Sequence, residues 1–246
     1  MYNFFITQEY FFDSKAIISG NDYNHILNVL RLKVGDQILI SVDNKSHLCS
    51  IENFENEHVI CKIIERDYQD TNLPIDIYLF QGLPKSDKME LIIQKAVELG
   101  VHTIVPVQTE RSVVKIEPKK VKAKTERWQA IAESAGKQSK RTFIPKVLEA
   151  TSFKGAMEFA KTLDMFILPY ENASGMQATK NVLSELKSGM KVGVMIGAEG
   201  GFSQKEIDLA STFGAKPISL GKRILRTETA TITTLSMLML YAETFL

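Results

Sequence analysis

The sequence predicts an α/β protein in two parts, a small β domain followed by a larger domain built on a parallel sheet. Residues 1 to about 72 consist of short alternating segments separated by turn residues, which is typical of a compact β barrel. After Pro74, buried-type strands alternate with segments of helical period, which predicts right-handed βαβ units. We therefore predict domains at 1–72 and 73–246, joined by a polar linker at 70–74.

In the first domain, alternation of apolar and polar residues predicts four strands, at 3–6, 37–42, 47–54 and 58–66. Turn residues at 33–36 and 43–45 separate these strands, and residues 25–31 predict one or two helical turns. The two cysteines, Cys49 and Cys61, are too few for a disulfide framework, and we expect buried thiols.

In the second domain, strands are predicted at 75–80, 101–107, 165–168, 192–196 and 218–220. Between the first two, apolar residues from Met89 to Val97 recur at helical spacing and the pattern ends at Gly100. Ser203 with Glu206 three residues later predicts a capping box at a helix start. A basic helix at about 125–138 and a terminal helix at about 230–244 complete the alternation.

Positive charge is concentrated between residues 115 and 146, which contain ten Lys or Arg residues and three Glu, although the net charge of the whole chain is only +1. Such a strip can bind a phosphate backbone locally. A solvated, lysine-rich face is the alternative, and composition does not decide between them.

Two strand ends carry glycine-rich polar turns, which is the usual place for a ligand in an open α/β sheet. The first, IGAEGG at 196–201, lacks both the lysine-hydroxyl ending of a P-loop and the GxGxxG pattern. A triphosphate is therefore disfavoured, whereas the glycines allow backbone to approach a flat group such as adenosine. Tight turns without a ligand are the alternative.

Arg226 and Glu228 lie two residues apart in the turn that leads to the terminal helix, with Thr227 and Thr229 available to cap it. The two charged residues could simply pair with each other. Beside a glycine-lined pocket, they could instead orient a base and hold a proton.

Several classes of site are not expected. The four histidines are scattered without ligand spacing, so we expect no metal. No apolar stretch approaches the roughly 20 residues that a membrane helix needs. Residues 1–15 lack the layout of a secretory signal, so a reducing, cytoplasmic location without a membrane partner is expected.

The motifs together resemble the RsmE family, SPOUT-superfamily methyltransferases that act on N3 of a uridine in small-subunit ribosomal RNA. The resemblance covers essentially the whole chain and rests on HILNVLRLKVGD, QGLPKSDKMELIIQKAVELGV, RWQAIAESAGKQSKRTFIP, IGAEGGFS and LGKRILRTETA. Two positions depart from the family pattern, which usually has proline at Ala198 and often an arginine near Asn3.

This resemblance implies a PUA-like β barrel in the first domain and a C-terminal trefoil knot in the parallel-sheet domain. It also implies S-adenosylmethionine (SAM) as the cofactor, held between three loops at 168–171, 196–201 and 220–230. A homodimer with an active site completed across its interface is expected, as is 16S ribosomal RNA, in an assembled particle, as substrate. The alternative is a catalytically silent RNA-binding or ribosome-assembly protein with the same fold.

The resemblance and the loops together assign the candidate site residues. Arg226 is expected to stabilise negative charge on the uracil carbonyls, and Glu228 or Glu199 is the possible base, although either could be structural. The cofactor-binding candidates are Leu168, Pro169, Ile196, Gly197, Gly200, Gly201, Leu220, Gly221, Ile224, Leu225, Thr227, Thr229 and Ala230. The RNA-binding candidates are His25, Arg31, Lys137, Gln138, Lys140 and Arg141, with the lysines between 119 and 124.

Overall fold

The computed structural model describes residues 1–85, 88–170 and 175–246. Two compact units are present: Met1–Asn72 with Gly136–Ile144, and Leu73–Ala135 with Pro145–Leu246. The first break along the chain lies between Asn72 and Leu73. Residues 136–144, which the sequence assigns to the second domain, pack with the first.

The first unit is built on a five-stranded mixed sheet in the order β1-β3-β4-β5-β2. Its strands are β1 (Asn3–Phe5), β2 (Lys15–Ile18), β3 (Gln37–Val42), β4 (Lys45–Glu55) and β5 (His58–Gln69). β1 is parallel to β3, and the other pairs are antiparallel. The four predicted strands are confirmed. β2 was not predicted, because four residues at a sheet edge give too short an alternation.

The core of the first unit is formed by alternate residues of these strands, including both cysteines. Burial raises the pKa of the Cys49 and Cys61 thiols to about 12, so both are protonated at neutral pH and are inert. The expectation of buried thiols is confirmed. A short helix α1 (Asn21–Asn24) runs into a π-helical turn, His25–Val29, which buries Ile26.

The segment 136–144 is fastened to the first unit by polar contacts. Lys137 Nζ lies 2.7 Å from Asp22 Oδ1. Asn3 Nδ2 donates to the Arg141 carbonyl at 2.9 Å. Thr142 Oγ1 donates to Asn72 Oδ1 at 2.8 Å. Because these contacts are long-range, the local sequence does not show that residues 136–144 belong to the first unit.

The second unit contains a parallel sheet, as predicted, in the order β12-β10-β11-β6-β7-β8, with β9 also paired to β7. Its strands are β6 (Asp76–Gly82), β7 (Thr103–Gln108), β8 (Lys146–Val147), β9 (Thr151–Ser152), β10 (Met165–Pro169), β11 (Lys191–Ile196) and β12 (Lys216–Ile218). Its helices are α2 (Lys88–Glu98), α3 (Pro118–Gln138, whose last three residues belong to the first unit), α4 (Phe153–Ala160), α5 (Met176–Ser184), α6 (Gln204–Thr212) and α7 (Thr227–Phe245).

Two differences from the prediction shape the site. β12 ends at Ile218, where the predicted strand begins, and α7 begins at Thr227 rather than near residue 230. Residues 219–226 are therefore a connection outside both elements. The short helices α4 and α5 were not predicted, since each offers only two turns of apolar periodicity. The trefoil knot stays a prediction.

No helix in the described ranges is long and apolar enough to cross a membrane. Among the same residues, no group of three or more His, Cys, Asp and Glu side chains could hold a metal ion.

Candidate active site

A cavity of about 750 Å³ lies in the second unit at the carboxyl ends of β10, β11 and β12. Parallel strands bring their carboxyl ends to one edge of a sheet, so the three following segments meet there. The volume is in the range that small-molecule sites occupy. We call the segment after β11 (197–203) the glycine loop and the segment after β12 (219–226) the basic loop.

The glycine loop turns back on itself beside β6. The Gly201 N–H donates to the Ala198 carbonyl at 2.9 Å, and Gly201 has a positive φ of 64° that favours glycine. At the end of β6, a Cβ on Gly82 would lie 2.5 Å from the Ala198 nitrogen. The strand and the loop can therefore approach only because residue 82 is glycine. The predicted capping box at Ser203 and Glu206 is confirmed.

The turn after β7 holds the glycine loop from another side. Arg111 Nη1 donates to the Gly200 carbonyl at 3.1 Å, and Ser203 Oγ donates to Glu110 Oε2 at 2.7 Å. The Glu110 N–H in turn donates to Glu206 Oε1 at 2.8 Å. Sequence reasoning missed Glu110 and Arg111. Their position directly after a buried parallel strand is the signal that could have found them.

A chain of buried hydrogen bonds connects β6, α7 and the glycine loop. Gln81, which is fully buried, donates from Nε2 to Thr227 Oγ1 at 3.0 Å and accepts at Oε1 from Thr231 Oγ1 at 2.6 Å. Thr227 Oγ1 donates to the Gly197 carbonyl at 2.6 Å. Thr227 therefore ties the helix to the loop rather than capping it, since the N-cap of α7 is Arg226.

The charged residues that line the cavity, within the part of the chain that the structure describes, are mostly basic. Glu199 is the one acidic member; the basic members are Lys88, Arg111, Lys222, Arg223 and Arg226. A cavity with this charge favours an anionic partner such as the phosphate backbone of RNA.

Lys88, at the start of α2, contacts both candidate catalytic carboxylates. Its Nζ lies 3.2 Å from Glu199 Oε1 and 3.3 Å from Glu228 Oε2. Glu228 thus pairs with Lys88, whereas the sequence left open a pair between Glu228 and Arg226. Lys88 was not among the predicted site residues, because it precedes both Glu199 and Glu228 by more than a hundred residues in sequence.

Electrostatics favour the ionised forms of Glu199 and Lys88. Partial burial, the largest single contribution, raises the pKa of Glu199. Its own backbone N–H, that of Lys85 and the Lys88 ammonium together outweigh burial, so the pKa lies below its ordinary value. The hydrogen bond to Glu199 and the charge of Glu228 raise the pKa of Lys88.

Most predicted cofactor residues lie around the cavity. Those that line it are Pro169, Ile196, Gly197, Gly200, Gly201, Leu220, Gly221, Ile224, Leu225, Thr227 and Ala230. Leu168 lies in the hydrophobic core instead, and Thr229 is exposed on α7 without lining the cavity. Glu171, at the end of the first predicted loop, lies outside the described residues.

The predicted RNA-binding residues differ in exposure. His25, Arg31 and Gln138 are exposed, while Lys137 and Lys140 are half-buried, the former paired with Asp22. Arg141 is only 3% exposed, and its guanidinium lies 4.8 Å from the centre of the Phe143 ring. Burial lowers the pKa of Arg141 to about 10. A phosphate contact needs an accessible guanidinium, so the position of Arg141 fits a structural role better.

Comparison with known proteins decides the family. A family model described as an RNA methyltransferase domain matches residues 71–239, and one described as an RNA methyltransferase PUA domain matches 18–64. The ribosomal RNA small subunit methyltransferase E of Bacillus subtilis is 39% identical over 223 residues, which cover 89% of this chain and 87% of that protein. The chain belongs to the ribosomal RNA small subunit methyltransferase E family. The resemblance read from the motifs is confirmed.

Two solved relatives share the fold and carry the cofactor. The ribosomal RNA small subunit methyltransferase E of Neisseria gonorrhoeae, bound to S-adenosyl methionine, is 29% identical, with a TM-score of 0.81 and 96% coverage of each chain. A Legionella pneumophila protein solved in complex with the bound cofactor SAM is 33% identical, with a TM-score of 0.80 and 96% coverage of each chain. The α/β fold with an N-terminal PUA-like domain is confirmed.

Proposed function

We propose that this protein transfers the methyl group of SAM to N3 of a uridine in 16S ribosomal RNA. The observation that carries the proposal is the cavity at three parallel strand ends, bordered by the glycine and basic loops, in a member of a SAM-dependent methyltransferase family. A catalytically silent member would not need this cavity. SAM would supply the methyl group on its sulfonium. The residues of this chain must bind SAM and the uridine and must handle the proton on N3.

The residues around the cavity fit this cofactor. A Cβ on Gly201 would meet nothing within 4 Å, and one on Gly221 would meet only an Arg223 side-chain atom at 4.0 Å. Both glycines therefore leave backbone and space accessible to a bound group. Pro169, Leu220 and Leu225 add apolar lining for an adenosine.

The target nitrogen determines what the side chains must do. N3 of uridine carries a proton at neutral pH, so the site must either remove that proton or stabilise the anion left behind. The guanidinium of Arg226 is the proposed group for stabilising charge on the uracil carbonyls. Glu199 and Glu228 already contact the Lys88 ammonium, and the lowered pKa of Glu199 makes it a weak base. Electrostatic stabilisation by Arg226 is therefore the larger expected contribution.

The proposal extends to the partners. His25, Arg31, Lys137, Gln138 and Lys140 are proposed to bind RNA, with the exposed Lys119 and Lys120 as further phosphate contacts. An assembled small subunit is the proposed substrate, a homodimer the proposed active form, and the cytoplasm the proposed location.

Small ribosomal subunits and naked 16S RNA from a strain that lacks this gene test the proposal. Each is incubated with the protein and SAM, and nucleosides are identified by mass spectrometry. We expect 3-methyluridine at one position, more with subunits than with naked RNA, and far less with Arg226→Ala. No methylated nucleoside in either substrate, or methylation at another atom, would refute the proposed reaction.

A further inference from the structure

Lys88 joins three parts of the cavity that are far apart in sequence. It begins α2, Glu199 lies in the glycine loop, and Glu228 lies in the first turn of α7. Both carboxylates are within 3.3 Å of the same Nζ, so they lie close to each other. Two neighbouring carboxylates repel each other unless a cation offsets their charge.

The environment supports this arrangement as a built cluster. The side chains of Lys88, Glu199 and Glu228 are 31%, 29% and 16% exposed, so solvent screens the cluster only partly. Glu199 is further fixed by the Lys85 N–H, whose nitrogen lies 3.1 Å from Oε1 and 3.3 Å from Oε2. An ammonium that contacts two carboxylates is more ordered than one in a single surface pair.

We propose that Lys88 is a positioning residue for the methyl-transfer site, which holds the glycine loop and the start of α7 together through Glu199 and Glu228. This inference rests on the proposed function of the cavity. Arg226, the residue proposed to stabilise the uracil anion, is the N-cap of the helix that carries Glu228. Fixing that first turn therefore fixes the backbone from which Arg226 extends.

The cluster has a pH signature that a purely structural lysine would not show. The other charged residues that line the cavity within the described residues are basic: Arg111, Lys222, Arg223 and Arg226. The surrounding elements also carry Lys85 and two acidic residues with partners of their own, Glu90 on α2, which pairs with Arg127, and Glu110 after β7, which accepts from Ser203 Oγ. With Lys88 present, its ammonium offsets the repulsion between the two carboxylates. Without it, we expect the pair to take up a proton more readily as the pH falls, because protonation relieves the repulsion.

SAM affinity, measured by calorimetry between pH 6 and pH 9, tests the proposal. The quantity compared is the ratio of the variant's dissociation constant for SAM to that of wild type. For Lys88→Met, we expect this ratio to be about ten at pH 9 and close to one at pH 6. Taking the ratio at each pH removes the titration of SAM itself. Lys88→Arg keeps the cation and should stay within about threefold of wild type throughout.

Two further variants make the outcome specific. Lys95→Met removes a lysine of similar exposure from the same helix, where its ion pair within the described residues is with Glu98, and should leave the ratio at one. Lys88→Met with Glu228→Gln removes the repulsion and should flatten the pH dependence. A ratio that does not change with pH in folded Lys88→Met, or unchanged affinity, overturns the proposal. Failure of wild-type protein to bind SAM would instead overturn the proposed function.

Discussion

The two loops of the cavity differ in how firmly the protein holds them. The glycine loop is fixed by Arg111, by the capping box and by the Thr227 hydroxyl, which all contact its backbone or its end. The basic loop is held mainly at its first residues, where Ser219 exchanges hydrogen bonds with Thr179. Its tip is open, and Ile224 is 88% exposed. The glycine loop is therefore held by contacts within the protein, whereas the side chains at the tip of the basic loop are left exposed to solvent.

The largest effect should follow from disturbing the support of the glycine loop. Gly82→Ala puts a Cβ 2.5 Å from the Ala198 nitrogen, a contact with backbone that cannot move aside. We expect SAM affinity to fall more than about a hundredfold and stability to fall by about 2 kcal/mol. Calorimetry and denaturant unfolding measure the two effects.

Gly136→Ala is the matched control, because its Cβ would meet nothing closer than 3.9 Å and the position is helical. It should keep SAM affinity and raise stability by up to about 1 kcal/mol. If Gly82→Ala bound SAM normally, close support by β6 would not be what shapes the glycine loop.

The next effect concerns Arg226, where the basic loop meets α7. Arg226→Ala should lower turnover about a hundredfold, which corresponds to about 2.7 kcal/mol of transition-state stabilisation. SAM affinity should change much less, since the proposed partner of the guanidinium is the uracil. Single-turnover rates at saturating SAM, with SAM binding measured separately, check this. Loss of SAM binding with a preserved rate would make Arg226 a cofactor-binding residue.

This contrast also explains what the sequence could predict. The glycine loop follows a clear apolar strand and begins a helix with a local capping signal, so its position and ends could be read from neighbouring residues. Arg111 and Lys88 reach the loop from the turn after β7 and from α2, and no local period marks such long-range contacts. The packing of the segment 136–144 with the first unit could not be predicted for the same reason, because its partners Asn3 and Asn72 lie 138 and 70 residues away in sequence.

The Arg111→Ala variant tests how much a contact from outside the glycine loop contributes to the conformation of that loop. Arg111→Ala removes the hydrogen bond to the Gly200 carbonyl, and we expect SAM affinity to fall about tenfold, or about 1.4 kcal/mol. Arg127→Ala is a suitable control, since that arginine pairs with Glu90 and does not line the cavity. Equal affinity for Arg111→Ala and wild type would show that the capping box and Thr227 hold the loop without it.

The smallest effect on the cofactor should come from the open tip of the basic loop. Lys222 and Arg223 are exposed and line the cavity. Replacing both by alanine should leave SAM affinity within about twofold. RNA affinity should fall, and the slope of log K against log salt should decrease by roughly 0.7 to 0.9 for each RNA phosphate that the variant no longer neutralises. Filter binding of 16S RNA across a salt series measures this slope. An unchanged salt slope together with weakened SAM binding would contradict this prediction. It would show that Lys222 and Arg223 bind the cofactor rather than the RNA.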